Sequence, residues 1–196
     1  MDSTPAGTRN RLLASLAPGE LRRLEPHLEA VELSYRLPLY RANQPIHHVY
    51  FFDTGVGSLV HTMRKGAASE VGTIGKEGFV GLPLLFGDDR APNNVYVQLP
   101  GTGWKMKSSD FSTAIEQSKS LRQALLHYAH AFFNQVAQSA VWAHHHSLDQ
   151  RCCRWLLMTY DRMDSIHFRL THEFLAMMLG VRRALPSRRV PYNELD

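Results

Sequence analysis

The 196-residue chain predicts an α+β fold: short antiparallel strands forming a sandwich or roll, flanked by helices. Three observations predict it. Leucines recur at helical spacing over residues 9–29; short β-rich runs separated by turn signals fill 30–107; and no Pro or Gly interrupts the stretch from Gln117 to Arg162. Hydrophobic content of 44% and charged content of 20% are those of an ordinary soluble protein with a real core.

The first helical stretch is carried by Leu12, Leu13, Leu16, Leu21, Leu24 and Leu28, with a break expected at Pro18-Gly19. Strands are expected at 31–33, 49–52, 59–63, 71–74 and 95–99. The turns between them are marked by Asn43-Gln44-Pro45, Asp53-Thr54-Gly55, Lys65-Gly66, Lys76-Glu77-Gly78 and Pro100-Gly101. Residues 109–147 then read as one long helix, capped by Ser109 or Asp110. Along it Leu126, Ala129, Phe133, Val136, Ala140 and Ala143 alternate spacings of three and four, a heptad-like seam for a twin helix. A second apolar line, Leu121, Leu125, Tyr128 and Phe132, lies beside it, so one stripe can pack on the chain's own β unit and one on a twin helix; the alternative is that both are intramolecular core. A helix over 148–163 follows, with Leu148, Cys152, Trp155, Leu156 and Thr159 inward, and a short strand is expected over 166–170. Thr171 caps a further helix with Glu173 in its first turn, where the helix dipole favours negative charge. Gly180 then turns the chain into the start of another helix at Val181-Arg182-Arg183.

The net charge of +4 permits nucleic-acid binding without demanding it, and arginines concentrate in the last quarter of the chain. Cys152 and Cys153 are adjacent; neighbours on a helix point about 100° apart and do not readily bridge, so free thiols and a cytoplasmic location are expected. Buried small hydrophobes are the expected role of this pair, with redox sensing beside the flanking arginines as the alternative. There is no signal-peptide pattern and no apolar run of about 18 residues, so no membrane partner is expected. No nucleophile elbow, phosphate loop or metalloprotease string occurs, so no enzyme and no cofactor are expected. His144-His145-His146 splay around a helix axis and are not expected to share one metal ion.

Several strings resemble the Crp/Fnr family of bacterial transcription regulators, in the family's order. They are Asn10-Arg11-Leu12-Leu13-Ala14-Ser15-Leu16, His48-Val49-Tyr50-Phe51-Phe52-Asp53-Thr54-Gly55, and Gly75-Lys76-Glu77-Gly78-Phe79-Val80-Gly81. The most specific is Leu170-Thr171-His172-Glu173-Phe174-Leu175-Ala176-Met177-Met178-Leu179-Gly180-Val181-Arg182-Arg183. The resemblance implies a β-roll of the cyclic-nucleotide-binding type over 1–108, a dimerisation helix over 109–147 and an incomplete helix-turn-helix unit over 148–196. It implies a homodimer that binds double-stranded DNA, with contacts at Thr171, His172, Arg182 and Arg183. An effector pocket is implied at Gly81, Leu82, Leu85, Arg90 and Asn93.

Two departures from the family pattern shape the functional expectation. Cyclic-nucleotide binders of the family carry a Glu after the cassette glycine and a later Arg for the phosphate. Here Leu82 follows Gly81, and Arg90 comes early, beside Asp88 and Asp89. A buried phosphate without a cation is costly, so no tight cyclic-AMP binding is expected; an unknown small-molecule effector remains. Pro186 also limits a helix from Val181 to about one turn. The Arg- and Pro-rich tail therefore reads as a frame change or truncated product, and Arg182 and Arg183 are left to touch phosphates. The expected function is a dimeric DNA-binding transcription regulator with an effector-sensing β-roll. The alternative is a dimerising sensor module that has lost DNA reading and titrates full-length partners.

Overall fold

The computed structural model describes residues 7–62, 68–163, 175–176 and 178–179. Thr171, His172, Arg182, Arg183, the expected strand over 166–170 and the tail from 184 lie outside the described residues, as does the Lys65-Gly66 turn.

The chain opens with helix α1 (Arg11–Ala14), started by Asn10, whose side chain accepts from the Leu13 amide. Asn10 is fully buried, and its Nδ2 donates to the carbonyls of Phe52 and Gly78 at 2.9 and 2.8 Å. Asp53 completes the knot by accepting from Thr8 Oγ1, the Arg9 and Asn10 amides, and Trp104 Nε1. Helix α2 (Pro18–Leu24) starts at the Pro-Gly pair where a break was expected. Proline lacks an N–H that the first turn does not need and is pre-set for the helical φ. A 3-10 turn over Glu25–His27 leads into the sheets.

Eight strands follow: β1 (Glu29–Leu33), β2 (Pro38–Tyr40), β3 (His48–Phe52), β4 (Val56–Thr62), β5 (Ala68–Ile74), β6 (Phe79–Val80), β7 (Asn94–Leu99) and β8 (Gly101–Lys107). A short helix α3 (Leu82–Leu85) sits between β6 and β7. All the pairings are antiparallel and give two four-stranded sheets, ordered β1-β8-β3-β6 and β2-β7-β4-β5. This is the antiparallel roll that the β-rich runs predict. Three strands carried too little signal to be expected: β2 is short and begins at proline, β6 has two residues, and β8 reads Gly-Thr-Gly-Trp-Lys-Met-Lys. Pro100 marks the crossing from one sheet to the other.

The expected single helix over 109–147 is two helices, α4 (Ser108–Gln117) and α5 (Lys119–His145). Lys107 occupies the cap position of α4, so neither Ser109 nor Asp110 caps it; Asp110 lies in the first turn. The break falls at Ser118, which is extended (φ −120°, ψ 107°) and accepts from the Leu121 amide through its hydroxyl. Serine competes for the backbone in this way and makes a helix start without any Pro or Gly. Ser118 also donates to Glu20 of α2.

Helix α5 lies on the roll through Leu121, Leu125, Tyr128 and Phe132, all buried, so this is the stripe that packs on the chain's own β unit. Two glycines permit the approach. A Cβ on Gly78 would stand 2.0 Å from the Tyr128 ring, and one on Gly72 would stand 2.8 Å from the Phe132 ring. An aromatic run joins sheet to helices: Phe79 packs 5.8 Å from Phe51, 5.5 Å from Phe111 and 5.5 Å from Tyr128, which in turn lies 6.0 Å from Phe132. Helix α6 (Leu148–Tyr160) starts with a capping box between Ser147 and Gln150. Trp155 and Thr159 are buried and Cys152 and Leu156 pack against a small second core with Met178 and Leu179, but Leu148 is exposed rather than inward.

Candidate functional site

A cavity of about 260 Å³ opens in the β-roll at the base of α3. Leu59 and Ile74 of the β4–β5 hairpin form its floor, Gly81 and Leu82 one rim, and Phe132 of α5 a wall. Of the effector residues expected from the sequence, Gly81, Leu82 and Asn93 line the cavity. Leu85 is instead in the hydrophobic core, 5% exposed, and holds α3 down. Arg90 is exposed; its guanidinium donates to the Asn43 carbonyl at 3.0 Å and its amide to Asp88 at 2.9 Å. Asn93 is engaged with His61 Nδ1 at 2.8 Å. No Lys or Arg lines the cavity among the described residues, and the one carboxylate on it is Asp88. Phe86, which also lines the cavity, is 67% exposed. Tyr40 also lines the cavity, but its hydroxyl is spent on the carbonyls of His48 and Val80.

A second constellation lies where α6 meets the roll, at residues that form no motif. Glu70 of β5 is half-buried, accepting from Ser58 Oγ at 2.6 Å and Trp155 Nε1 at 2.9 Å. Both donors are neutral. Burial pushes the carboxyl up to about 8, with the two hydrogen bonds and the more distant Arg162 charge opposing. The hydroxyls of Thr73 and Thr159 are buried with no partner among the described residues, and Ser58 also contacts the Met178 sulfur at 3.5 Å. Nearby, Arg162 ties three elements together. It donates to Glu77 at 2.7–2.8 Å, to Gln135 of α5 at 2.9 Å and to the Met158 carbonyl at 2.7 Å; Gln135 in turn donates to the Thr73 carbonyl at 2.9 Å.

The comparisons with known proteins fall on the same region. Residues 32–118 match the family model of the cyclic nucleotide-binding domain. The roll is a cyclic nucleotide-binding-type domain. No curated protein matches the chain. Among solved structures, the fold is similar to that of the global regulator CLP of Xanthomonas campestris, described as c-di-GMP responsive, at a TM-score of 0.69 and 16% identity, covering 85% of this chain and 86% of that one. A transcriptional regulator of the crp/fnr family from Eubacterium rectale aligns at a TM-score of 0.72 and 14% identity, covering 88% and 81%. FixK2 from Bradyrhizobium japonicum aligns at 0.67 and 12%, covering 79% and 78%. The fold therefore continues past the cyclic nucleotide-binding-type roll into the helices in the manner of Crp/Fnr structures.

On the far side of α5 from that roll, Leu126 is 41% exposed, Phe133 68% and Val141 57%. Ala140 and Ala143 are exposed with them, whereas Ala129 is buried and Val136 packs on the roll. The outward apolar line of the seam thus runs Leu126, Phe133, Ala140. At the end of α5, His146 stacks on Trp142 at 3.7 Å and Arg154 of α6 lies 4.8 Å over the same ring. Among the described residues, no three His, Cys, Asp or Glu side chains are grouped to hold a metal. Cys152 is half-buried and burial raises its thiol above the usual range, which disfavours the reactive thiolate; Cys153 is exposed. Among the described residues no helix is long and apolar enough to cross a membrane.

Proposed function

We propose that the chain is a dimeric transcription regulator of the Crp/Fnr type, whose β-roll senses a small molecule other than cyclic AMP and biases the spacing of two DNA-reading units. One observation carries this reading: α5 walls the cavity with one side and exposes an apolar line on another. Phe132 walls the cavity, and the next residue, Phe133, stands about 100° round the helix on the exposed apolar line. A ligand touching Phe132 acts on the same rigid element that a twin helix would touch. Such a dimer would set its DNA-reading helices about 34 Å apart, one turn of the duplex. Thr171, His172, Arg182 and Arg183 are the proposed DNA contacts, and Leu126, Phe133, Ala140 and Ala143 the proposed dimer seam.

Against cyclic AMP stand the outward, exposed Arg90 and the carboxylate of Asp88 on the cavity. An anionic phosphate there would lose its hydration without gaining a cation. Calorimetry should show no low-micromolar cyclic-AMP binding; such binding, lost in Arg90→Ala, would overturn this part.

The test of the whole reading is anisotropy of the purified chain on labelled genomic fragments at about 150 mM salt with excess random competitor DNA. Phosphate-only contacts weaken steeply with salt, whereas base contacts leave a specific residue of affinity. Competitor-resistant binding to a subset of fragments supports the regulator. Loss of all binding in competitor replaces it with the dimerising sensor module that titrates full-length partners.

A further inference from the structure

We propose that the roll cavity is built for a small, uncharged, apolar ligand, an aromatic of one to three rings or a short hydrocarbon. This rests on the reading of the cavity as the effector site and names the class of molecule it takes.

Three observations converge. The first is the wall chemistry: Leu59, Ile74, Leu82, Val95 and Phe132 present hydrocarbon, and the roll's own hydrogen bonding engages the Tyr40 hydroxyl proton and the Asn93 side-chain oxygen. The Tyr40 hydroxyl is bonded to two backbone carbonyls and Asn93 to His61. A ligand rich in polar atoms would bury them without partners, a cost set by their lost hydration. The second is charge. Among the described residues Asp88 is the only carboxylate on the cavity and no Lys or Arg lines it; its Oδ1 is already bonded to the Arg90 amide, so an anion meets repulsion and no counter-charge. The third is size and entrance. At about 260 Å³ the cavity lies just below the ~300–1,000 Å³ typical of sites for drug-sized ligands. Its rim carries Phe86, a ring left 67% exposed at the end of α3. An aromatic side chain held at the mouth of an apolar cavity gives an apolar guest a surface to close against, and its own exposure falls when the guest enters.

The experiment uses the full chain without DNA and the uncharged fluorophore N-phenyl-1-naphthylamine, whose emission rises on leaving water. The expected result is saturable binding at one site per chain, displaced by the uncharged, non-fluorescent p-cymene and not by cyclic AMP. Leu82→Glu, which puts a carboxylate on the rim, should weaken the probe by roughly tenfold or more. Because Leu82 is partly buried, Phe86→Ser at an exposed position serves as the second variant and should weaken it severalfold. Thermal melting checks that both variants fold. Displacement by cyclic AMP overturns the proposal, and so does probe binding that neither folded variant changes, since the probe would then sit elsewhere. The outcome is separable from DNA reading: a chain that binds the probe here but selects no DNA keeps the cavity assignment and loses the regulator.

Discussion

Glu70 and Asn10 show what a single polar side chain does in this fold. The Glu70 carboxyl is held up to about 8 by burial between Ser58 and Trp155, so it binds its proton more tightly folded than unfolded. Between its ordinary value of 4.5 and about 8, the folded protein carries more protons on this group than the unfolded chain. Stability contributed by the protonated carboxyl is therefore full below pH 4.5 and is lost as pH rises towards about 8, with a ceiling of about 1.4 kcal/mol per pH unit. Glu70→Gln imitates the neutral form. It should flatten the fall in melting temperature between pH 5 and 8, and an unchanged slope would assign that pH dependence to other groups. Asn10 is the opposite case, fully satisfied: its amide serves the Phe52 and Gly78 carbonyls and its oxygen the Leu13 amide. Asn10→Ala strands all three and removes a cap, so denaturant unfolding should show a loss on the order of 3 kcal/mol. A loss under half of that would mean that water replaces the side chain.

At the scale of elements, α5 presents two apolar lines, one buried and one outward. Its buried line of Leu121, Leu125, Tyr128 and Phe132 was legible in the sequence because four apolar residues at helical spacing have one direction to face. The outward line was only half legible, because periodicity does not tell which of two neighbouring stripes the roll covers. Ala129 and Val136 share the heptad spacing with Leu126 and Phe133, yet they lie nearer the roll and pack there. If the outward line meets a twin helix, Phe133→Glu should leave a monomer by light scattering, since the position is 68% exposed and the fold does not need it. A chain that stays dimeric would move the interface off α5. The junction with α6 makes its own prediction. Arg162 joins the β5–β6 turn, α5 and the end of α6 through Glu77, Gln135 and the Met158 carbonyl. Its side chain is 11% exposed against 31% for Glu77, so solvent screens the pair in part. Arg162→Ala should cost about 1–2 kcal/mol and speed proteolysis near His146 and Ser147 while the roll stays resistant. Equal protection in the variant would mean that the Trp155 core alone holds α6.

For the molecule as a whole, the roll was legible as an antiparallel class because turn residues punctuate β-rich runs, but its sheet membership was not. Sheet membership depends on the long-range crossing at Pro100 and on β8, whose glycines and lysines hide a strand that pairs with both β1 and β3. The cavity was legible at Gly81, Leu82 and Asn93 from a local string, whereas Phe132 came from 50 residues downstream and read only as core. Glu70 and Arg162 left no local signal, because a carboxylate becomes informative only once its neighbours from other elements are known. These distant contributions bear on function together. Phe132 places α5 against any guest in the cavity, and α5 carries the proposed dimer face one residue on. If the guest binds the dimer-compatible position of α5 better, coupling must be reciprocal: the dimer must bind the guest better by the same factor. N-phenyl-1-naphthylamine should therefore bind the wild-type dimer and the Phe133→Glu monomer with affinities differing by roughly fivefold or more, the lower end of typical coupling. Phe132→Leu, which keeps an apolar wall but shortens it, should shrink that difference when the two backgrounds are compared. Equal affinities for monomer and dimer would leave the cavity and the seam as independent features, and α5 would not be the element through which one is felt by the other.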